Sequence, residues 1–302
     1  MSQTDSNHEP GGAPTLHIVD GKTVIPRSGV LTRFARFMAA PFVSAWHHRD
    51  LISAILRREL YERFKGSAAG WVWAIFAPLL ALVTYTVAFS GPVSPPGGRA
   101  AGSQFDYALF IFGGLVAFNL FAEMAYRGPS LLHEYSHFIK QTMFPAEMLP
   151  IISTLRAAIY ATIGLALMLA AQLILTGELH WTVLLLPVWC VPFMALLIGM
   201  TWVLAAMGAY TRDTSYLMIT ITPLLMFATP VFFSHETLSP EIKLLMYANF
   251  LTGFIETLRD IVVFGRLPDL LVSLWTVFLS AATFWFGFWF FGRQRDGIAD
   301  VI

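Results

Sequence analysis

Cysteine is almost absent from this sequence. Cys190 is the single thiol among 302 residues, which excludes an internal disulfide framework and a cysteine-built metal site. It lies in an apolar run, where a small buried thiol is the expected role. Charge is scarce as well. Only 13% of residues are charged and 56% are hydrophobic, whereas a soluble domain averages roughly 25% charged. The apolar surplus must therefore face something other than water. The 19 basic and 19 acidic side chains cancel, so net charge gives no sign of a nucleic-acid partner. The first 30 residues are polar and rich in Gly and Pro and contain no apolar h-region of a cleavable signal peptide. Residues 1–48 are expected to be a mobile cytoplasmic tail.

Two further absences bear on energy supply. The Gly21–Thr23 stretch "GKT" is not a nucleotide loop, because position 16 is Leu16 rather than Gly and Pro26 stands where a helix should begin. Any ATP hydrolysis then belongs to another chain. The apolar runs also lack charge in their interiors, with Glu123 and Arg156 near their ends. Proton-driven carriers place carboxylates or His within their spans, and no paired, discontinuous segments of the ion-coupled type are visible.

Uncharged stretches of about 20 residues are what is present in abundance. Six are long enough to cross a bilayer: Trp71–Ser90, Tyr107–Ala122, Ala157–Gly177, Trp181–Tyr210, Thr214–Ser234 and Leu270–Gly292. The fourth holds Pro187 and Pro192 and is expected to kink near its start. A seventh run, Leu244–Ile255, has 12 residues, a length that suits a re-entrant or interfacial segment. The fold class is thus an all-α integral membrane protein of six transmembrane helices. An amphipathic interface helix precedes them, and re-entrant helices lie between spans five and six. Lys and Arg set the orientation. Fourteen fall before the first span, in the second and fourth loops and at the end; the alternate side has four, Arg99, Lys243, Arg259 and Arg266. Both termini are expected in the cytoplasm.

The membrane region, 49–302, opens with the interface helix, 49–65. Leu51, Ile52, Ile55, Leu56, Leu60 and Phe64 recur at spacings of three to four, with Arg57, Arg58, Glu59, Glu62 and Arg63 assigned to the opposite face. Such a helix lies along the inner membrane surface. Arg58, Arg63 and Lys65 would then sit at head-group depth, where cations meet phosphate. The first span is rich in aromatics, among them Trp71, Trp73, Phe76, Tyr85 and Phe89. These fit an interfacial belt or a surface on which sugar rings pack.

The second loop, 127–150, contains a helix-like segment, Ser130–Gln141, bounded by Gly-Pro and by Pro145 and Pro150. Leu131, Leu132, Tyr135, Phe138 and Ile139 line one side, with Glu134, His137 and Lys140 away from it. A helix laid into a partner's groove has this form, as does one resting on the membrane. His133 and His137 are spaced i, i+4, but a metal site needs more ligands, so no metal is expected. The outer region 235–268 mixes apolar residues with Asn249, Glu256, Arg259 and Asp260. Two short helices folding back into the membrane would put these near an exit mouth; equally, the three charges pair with one another. A membrane transferase would need clustered catalytic groups, yet Glu123, His133, Asp213, Glu256 and Asp260 divide between the two sides.

Five stretches together, "RRELYERFKGSAAGWVWAIFAPLL", "GGLVAFNLFAE", "RGPSLLHEYSHFIKQTMFPAEMLP", "GAYTRDTSYL" and "YANFLTGFIETLRDIVVFG", resemble the membrane subunit of ABC-type polysaccharide exporters. That class moves lipid-linked O-antigen; teichoic acid and capsule exporters are relatives, and drug or lipid exporters share the architecture. The resemblance runs from about Asp50 to Arg293, with Asn249-Phe250 where the family usually has Asn-Pro. It implies a homodimer in the bacterial cytoplasmic membrane with a channel between the copies. Two ATP-binding cassette subunits would carry the ATP and Mg, so this chain needs no cofactor and is not itself an enzyme. Glu134, Tyr135, His137 and Phe138 would form the coupling helix that meets the ATPase. Arg58, Arg63 and Lys65 would attract the pyrophosphate of an undecaprenyl carrier. Asn249, Glu256, Arg259 and Asp260 would belong to an external gate spanning Leu238–Gly265. Trp73, Tyr85, Phe89, Phe118 and Phe121 are expected to line the path of an uncharged glycan, since aromatic contacts are weak enough to release successive sugars.

Overall fold

The computed structural model describes residues 17–19, 22–24, 30–63, 65–89, 104–141, 145–233, 239, 241, 246 and 249–301. The chain divides into two units, Met1–His47 and His48–Ile302.

The first unit holds an antiparallel pair, β1 (His17–Val19) and β2 (Lys22–Val24), with His17 opposite Val24 and Val19 opposite Lys22. The sequence between them is Asp20-Gly21, the residue pair that two-residue hairpin turns favour. A helix follows, α1 (Val30–His47). Neither element was anticipated for the 1–48 segment. Its Gly- and Pro-rich first half masks the helical spacing of the apolar residues that follow.

Every other described element is helical. In order they are α2 (Arg49–Glu62), α3 (Val72–Phe89), α4 (Gln104–Arg127), a 3₁₀ turn at Gly128–Ser130, α5 (Leu131–Glu134), α6 (Ser136–Gln141) and α7 (Met148–Thr176). A 3₁₀ turn at Trp181–Leu185 leads into α8 (Leu186–Tyr210), and α9 (Asp213–Ala228), α10 (Thr252–Val262) and α11 (Leu270–Val301) complete the set. Among the described residues, four stretches are long and apolar enough to cross a membrane: Tyr107–Glu134, Met148–Thr176, Trp181–Tyr210 and Leu270–Arg295. The helices at the other two expected spans, α3 and α9, are shorter. Among the described residues of the expected re-entrant region, α10 is helical, as are Glu241 and Met246; most of the region's first half lies outside them.

Local chemistry accounts for several boundaries. Pro187 occupies the first turn of α8, where its missing N–H removes no helical bond. Helix α7 ends at Gly177, whose φ of 74° is the left-handed cap that lacks a Cβ penalty. Helix α9 ends as Thr229 turns extended before Pro230.

Helix α4 is the axis around which the others pack. In its most apolar stretch 89% of residues are buried, against 28% for the α7 and α8 stretches and 22% for α11. Those three therefore present most of their apolar surface outward, as lipid-facing helices do, whereas α4 is enclosed by protein. Helices α8 and α11 approach at Gly199 and Gly287. A Cβ on either would collide with backbone of the other helix, the small-residue contact that lets membrane helices pack closely. Two indoles pin α8: Trp202 Nε1 donates to the Glu147 carbonyl (3.0 Å) and Trp189 Nε1 to the Phe254 carbonyl (2.9 Å).

Candidate functional site

Where α2, the C-terminal end of α4 and the first turns of α7 meet, six side chains form a row of alternating charge. It begins at Glu134 in α5. Arg127, at the end of α4, donates to Glu134 Oε2 from Nε (3.2 Å) and Nη2 (3.1 Å). The same guanidinium grips Glu59 of α2 with two bonds, Nη1 to Oε2 (2.9 Å) and Nη2 to Oε1 (3.1 Å), and touches Ser153 Oγ of α7 at 3.2 Å. Glu59 Oε2 lies 3.3 Å from Arg156 Nε of α7. Arg156 Nη2 donates to Glu123 Oε1 (2.8 Å), and that oxygen also accepts from Arg63 Nη1 (3.0 Å). The row thus reads Glu134, Arg127, Glu59, Arg156, Glu123, Arg63.

Two hydroxyls complete it. Tyr135 O–H donates to Glu59 Oε1, and Ser130 Oγ donates to Glu134 Oε1 at 2.9 Å. Paired carboxylates and guanidinium forks are the strong, directional form of hydrogen bond. The Glu59 carboxyl feels two opposed influences. Burial favours its neutral form, and the Arg127 bonds and charge, with the Tyr135 bond, outweigh burial and hold it below the ordinary glutamate value of 4.5. Burial first, and then the Glu59 carboxylate, push the Tyr135 phenol upward.

The row tightens one boundary and breaks another. The expected Ser130–Gln141 helix is two short helices, α5 and α6, broken at Tyr135 (φ −107°), where the ring turns inward to Glu59. Of the residues assigned to partner contact, Glu134 and Tyr135 are held by this row. His137 and Phe138 are exposed, their rings edge-on at 6.2 Å. The face assignment of α2 is also corrected. Glu59 is only 6% exposed, because it continues the inward stripe of Ile52, Ile55 and Leu56 at intervals of three to four.

The predicted phosphate-attracting residues lie beside the row. Arg58 Nε is 2.8 Å from Glu62 Oε1, which raises its pKa, and its guanidinium lies 5.4 Å from the Phe138 ring centroid. Arg63 also covers the Tyr160 ring at 4.1 Å. An open pocket of about 340 Å³ lies between Arg58, Arg127 and Tyr135. Lys65 lines another of about 550 Å³ with Tyr61 and Trp71. From Arg63 and Glu123 a groove of about 420 Å³ follows α3, α4 and α7, lined by Trp73, Asn119 and Tyr160 among others.

The aromatics predicted to line a path divide. Trp73 is 47% exposed and Tyr85 half-buried. The Phe89 side chain lies outside the described residues. Phe118 and Phe121, at 3% and 2% exposed, are core residues of α4 and pack on each other at 5.8 Å, with Phe121 against Phe250 at 5.4 Å. Because α4 is enclosed, these two side chains meet neighbouring helices of this chain.

The outer group is held by hydrogen bonds within the chain. Arg259 is fully buried and donates to three carbonyls, Phe110 (2.9 Å), Pro230 (2.6 Å) and Val231 (2.6 Å), and to Glu256 Oε1 at 3.3 Å. Its guanidinium lies 3.5 Å from the Phe110 ring centroid. Gly114 makes room for it, since a Cβ there would meet Nη2. This is a clamp joining α4, the end of α9 and α10. Asn249 also ties segments together: Nδ2 donates to Thr229 Oγ1 (2.8 Å) and Oδ1 accepts from the Leu251 N–H (3.0 Å). Asp260 is half-buried, and its carbonyl accepts from the Arg266 N–H (2.8 Å).

Sequence reasoning did not single out Glu59, Arg127 or Ser153 as site residues; it treated Arg156 as an end charge, and Glu123 as an end charge and a candidate group of the transferase alternative. The available signal was positional: charges at the ends of uncharged runs, and one carboxylate on the apolar stripe of α2. Among the described residues no cluster of three metal-ligating side chains occurs.

Residues 50–263 match the family model described as ABC-2 type transporter. An O-antigen export system permease protein RfbA from Myxococcus xanthus is 24% identical over 259 residues, covering 85% of this chain and 97% of that protein. A protein of the same name from Klebsiella pneumoniae is 22% identical over 234 residues, 74% of this chain and 85% of that protein.

Proposed function

Because the chain belongs to the ABC-2 type transporter family, we propose that it is the transmembrane subunit of an ATP-driven exporter of lipid-linked, O-antigen-type polysaccharide. Similarity to O-antigen export permeases over most of the chain supports this reading. In it the protein is a multi-pass component of a bacterial inner membrane with both termini cytoplasmic. Helices α3 and α9 serve as the first and fifth of six spans, and α10 is one arm of the re-entrant region. Two copies enclose the path, since one chain has too little wall. Two copies of a separate ATP-binding subunit dock beneath and supply the hydrolysis.

The observation that carries the mechanism is the row of alternating charge. Arg127 holds Glu134, beside the α5–α6 loop, and Glu59, on α2, with one guanidinium. A displacement of that loop by an ATPase is thereby passed to the helix at the membrane surface through one shared guanidinium. The exposed His137 and Phe138 contact the ATPase directly, and Glu134 and Tyr135 transmit. On the surface helix, Arg58, Arg63 and Lys65 receive the carrier's pyrophosphate, whose oxygens replace Glu62 and Glu123 as partners of the two guanidinium groups. The glycan follows the more exposed aromatics, Trp73 and Tyr85.

Glu134→Lys tests the coupling step. It should cut surface polysaccharide severalfold while membrane abundance and basal ATP hydrolysis by the complex stay near the parent's. Normal export by this variant would sink the transmission role. Loss of export that tracks lower abundance would show that Glu134 only supports the fold.

A further inference from the structure

Helix α1 lies outside the residues matched by the family, 50–263. Its composition is one-sided. From Gly21 to Arg49 the sequence contains no Asp or Glu, while Lys22, Arg27, Arg33, Arg36 and Arg49 all fall in that run. Helical register sorts the residues of α1 into two arcs. Positions 30, 31, 34, 37, 38, 41, 42, 45 and 46 are all apolar (Val, Leu, Phe, Phe, Met, Pro, Phe, Ala and Trp) and share one half of the cylinder. Positions 33, 36, 44 and 47 (Arg, Arg, Ser and His) share the other. Near its C-terminal end one edge of the apolar arc is exposed, with Phe42 63% and Trp46 72% accessible, while Pro41 at its middle is buried and Phe37, Met38 and Ala45 are half-buried.

We infer that α1 is a lipid-surface helix, lying in the head-group layer of an anionic membrane with its apolar arc immersed. Three features select this occupant over a protein groove. The charge is of one sign over 29 residues, which complements anionic head groups and carries no pattern for pairing with a mixed-charge surface. Trp46 at the edge of the apolar arc is the residue type that prefers the interface. The apolar arc is about half the circumference, the width of an interfacial helix rather than of the narrow seam through which two helices pack. The chain would then rest on the membrane through a segment of its own, independent of the glycan it moves.

The test needs no transport. Cys190 is the only cysteine, so Cys190→Ala gives a background for single spin labels. Phe42→Cys reports from the apolar arc and Val43→Cys, also exposed, from the cationic one. The full-length chain is reconstituted into vesicles of phosphatidylcholine alone, or with about one third phosphatidylglycerol, and collision with oxygen and with a soluble nickel chelate is measured. In anionic vesicles the label at 42 should show a severalfold higher oxygen-to-nickel ratio than the label at 43, and the difference should shrink in neutral vesicles or high salt. Adding Arg33→Glu and Arg36→Glu should abolish the lipid dependence. Equal nickel access at both positions in anionic vesicles would overturn the proposal, placing α1 in water. Exclusion of both reagents from position 42 would overturn it too, because protein would then cover the arc. Neither result bears on whether the chain exports polysaccharide.

Discussion

The two arginine centres of this chain solve the same problem with different partners. Arg259 is fully buried and takes three backbone carbonyls and one glutamate. Arg127 takes two carboxylates, Glu59 and Glu134, and the Ser153 hydroxyl, and its side chain is 16% exposed. Carbonyls belong to the backbone of packed elements and cannot leave without unfolding them. Carboxylates sit on flexible side chains and can exchange cations along a row. The first arrangement makes a rivet; the second makes a joint whose pieces can shift while every charge keeps a partner. The joint lies beside the loop with exposed rings, and the rivet lies beside the enclosed α4.

The sharpest way to break this comparison is to remove the rivet. Arg259→Met should lower membrane abundance and thermal stability strongly, by about 3–5 kcal/mol, because it removes the buried donor shared by Glu256 and three carbonyls. Thermal melting of the purified chain in detergent measures it, and export should fall only in step with abundance. A well-folded, abundant Arg259→Met variant that fails to export would move Arg259 into the gating machinery.

Removing the fork but not the charge at the joint should do less to the fold and more to the work. Arg127→Lys keeps a cation beside Glu59 but loses the bidentate grip. We expect a stability loss of about 1–2 kcal/mol, abundance within a factor of two of the parent as an order-of-magnitude expectation, and ATP hydrolysis by the complex no longer matched by export. Matched loss of both would mean that the fork only holds α2 in place.

The smallest effect is one of pH. Glu59 has its folded pKa lowered relative to the unfolded chain, where 4.5 applies. Its contribution to stability is therefore fully present above that value and disappears as pH falls through the lowered folded value. The melting midpoint of the parent should drop over this acidic window more steeply than that of Glu59→Gln, which starts lower at neutral pH. Parallel curves for the two proteins would show that Glu59 does not carry the charge linkage at the joint.

Much of the helical plan was legible because hydropathy is a sum over neighbours. Uncharged runs at 157–177, 181–210 and 270–292 correspond to α7, α8 and α11, and Pro187 marks the start of α8. The α5–α6 loop was recognisable from its flanking prolines. The break at Tyr135 was not, because it depends on Glu59, which is 76 residues away. Phe118 and Phe121 read as accessible aromatics because sequence shows their chemistry and not which helix is enclosed. Arg259 read as a gate charge for the same reason: its carbonyl partners leave no mark in the sequence around it.

Composition and periodicity by themselves determined that this chain seeks a membrane, where its long apolar helices run, and which ends carry charge. Those properties depend on transfer free energy, to which each residue contributes largely independently of distant ones. Only the tertiary structure decided that α4 is the enclosed helix, that Glu59 turns inward, and that Arg127 and Arg259 have opposite characters. Each of those depends on which side chains meet across dozens of residues. A guanidinium is a joint or a rivet according to the partner that packing brings within about 3 Å.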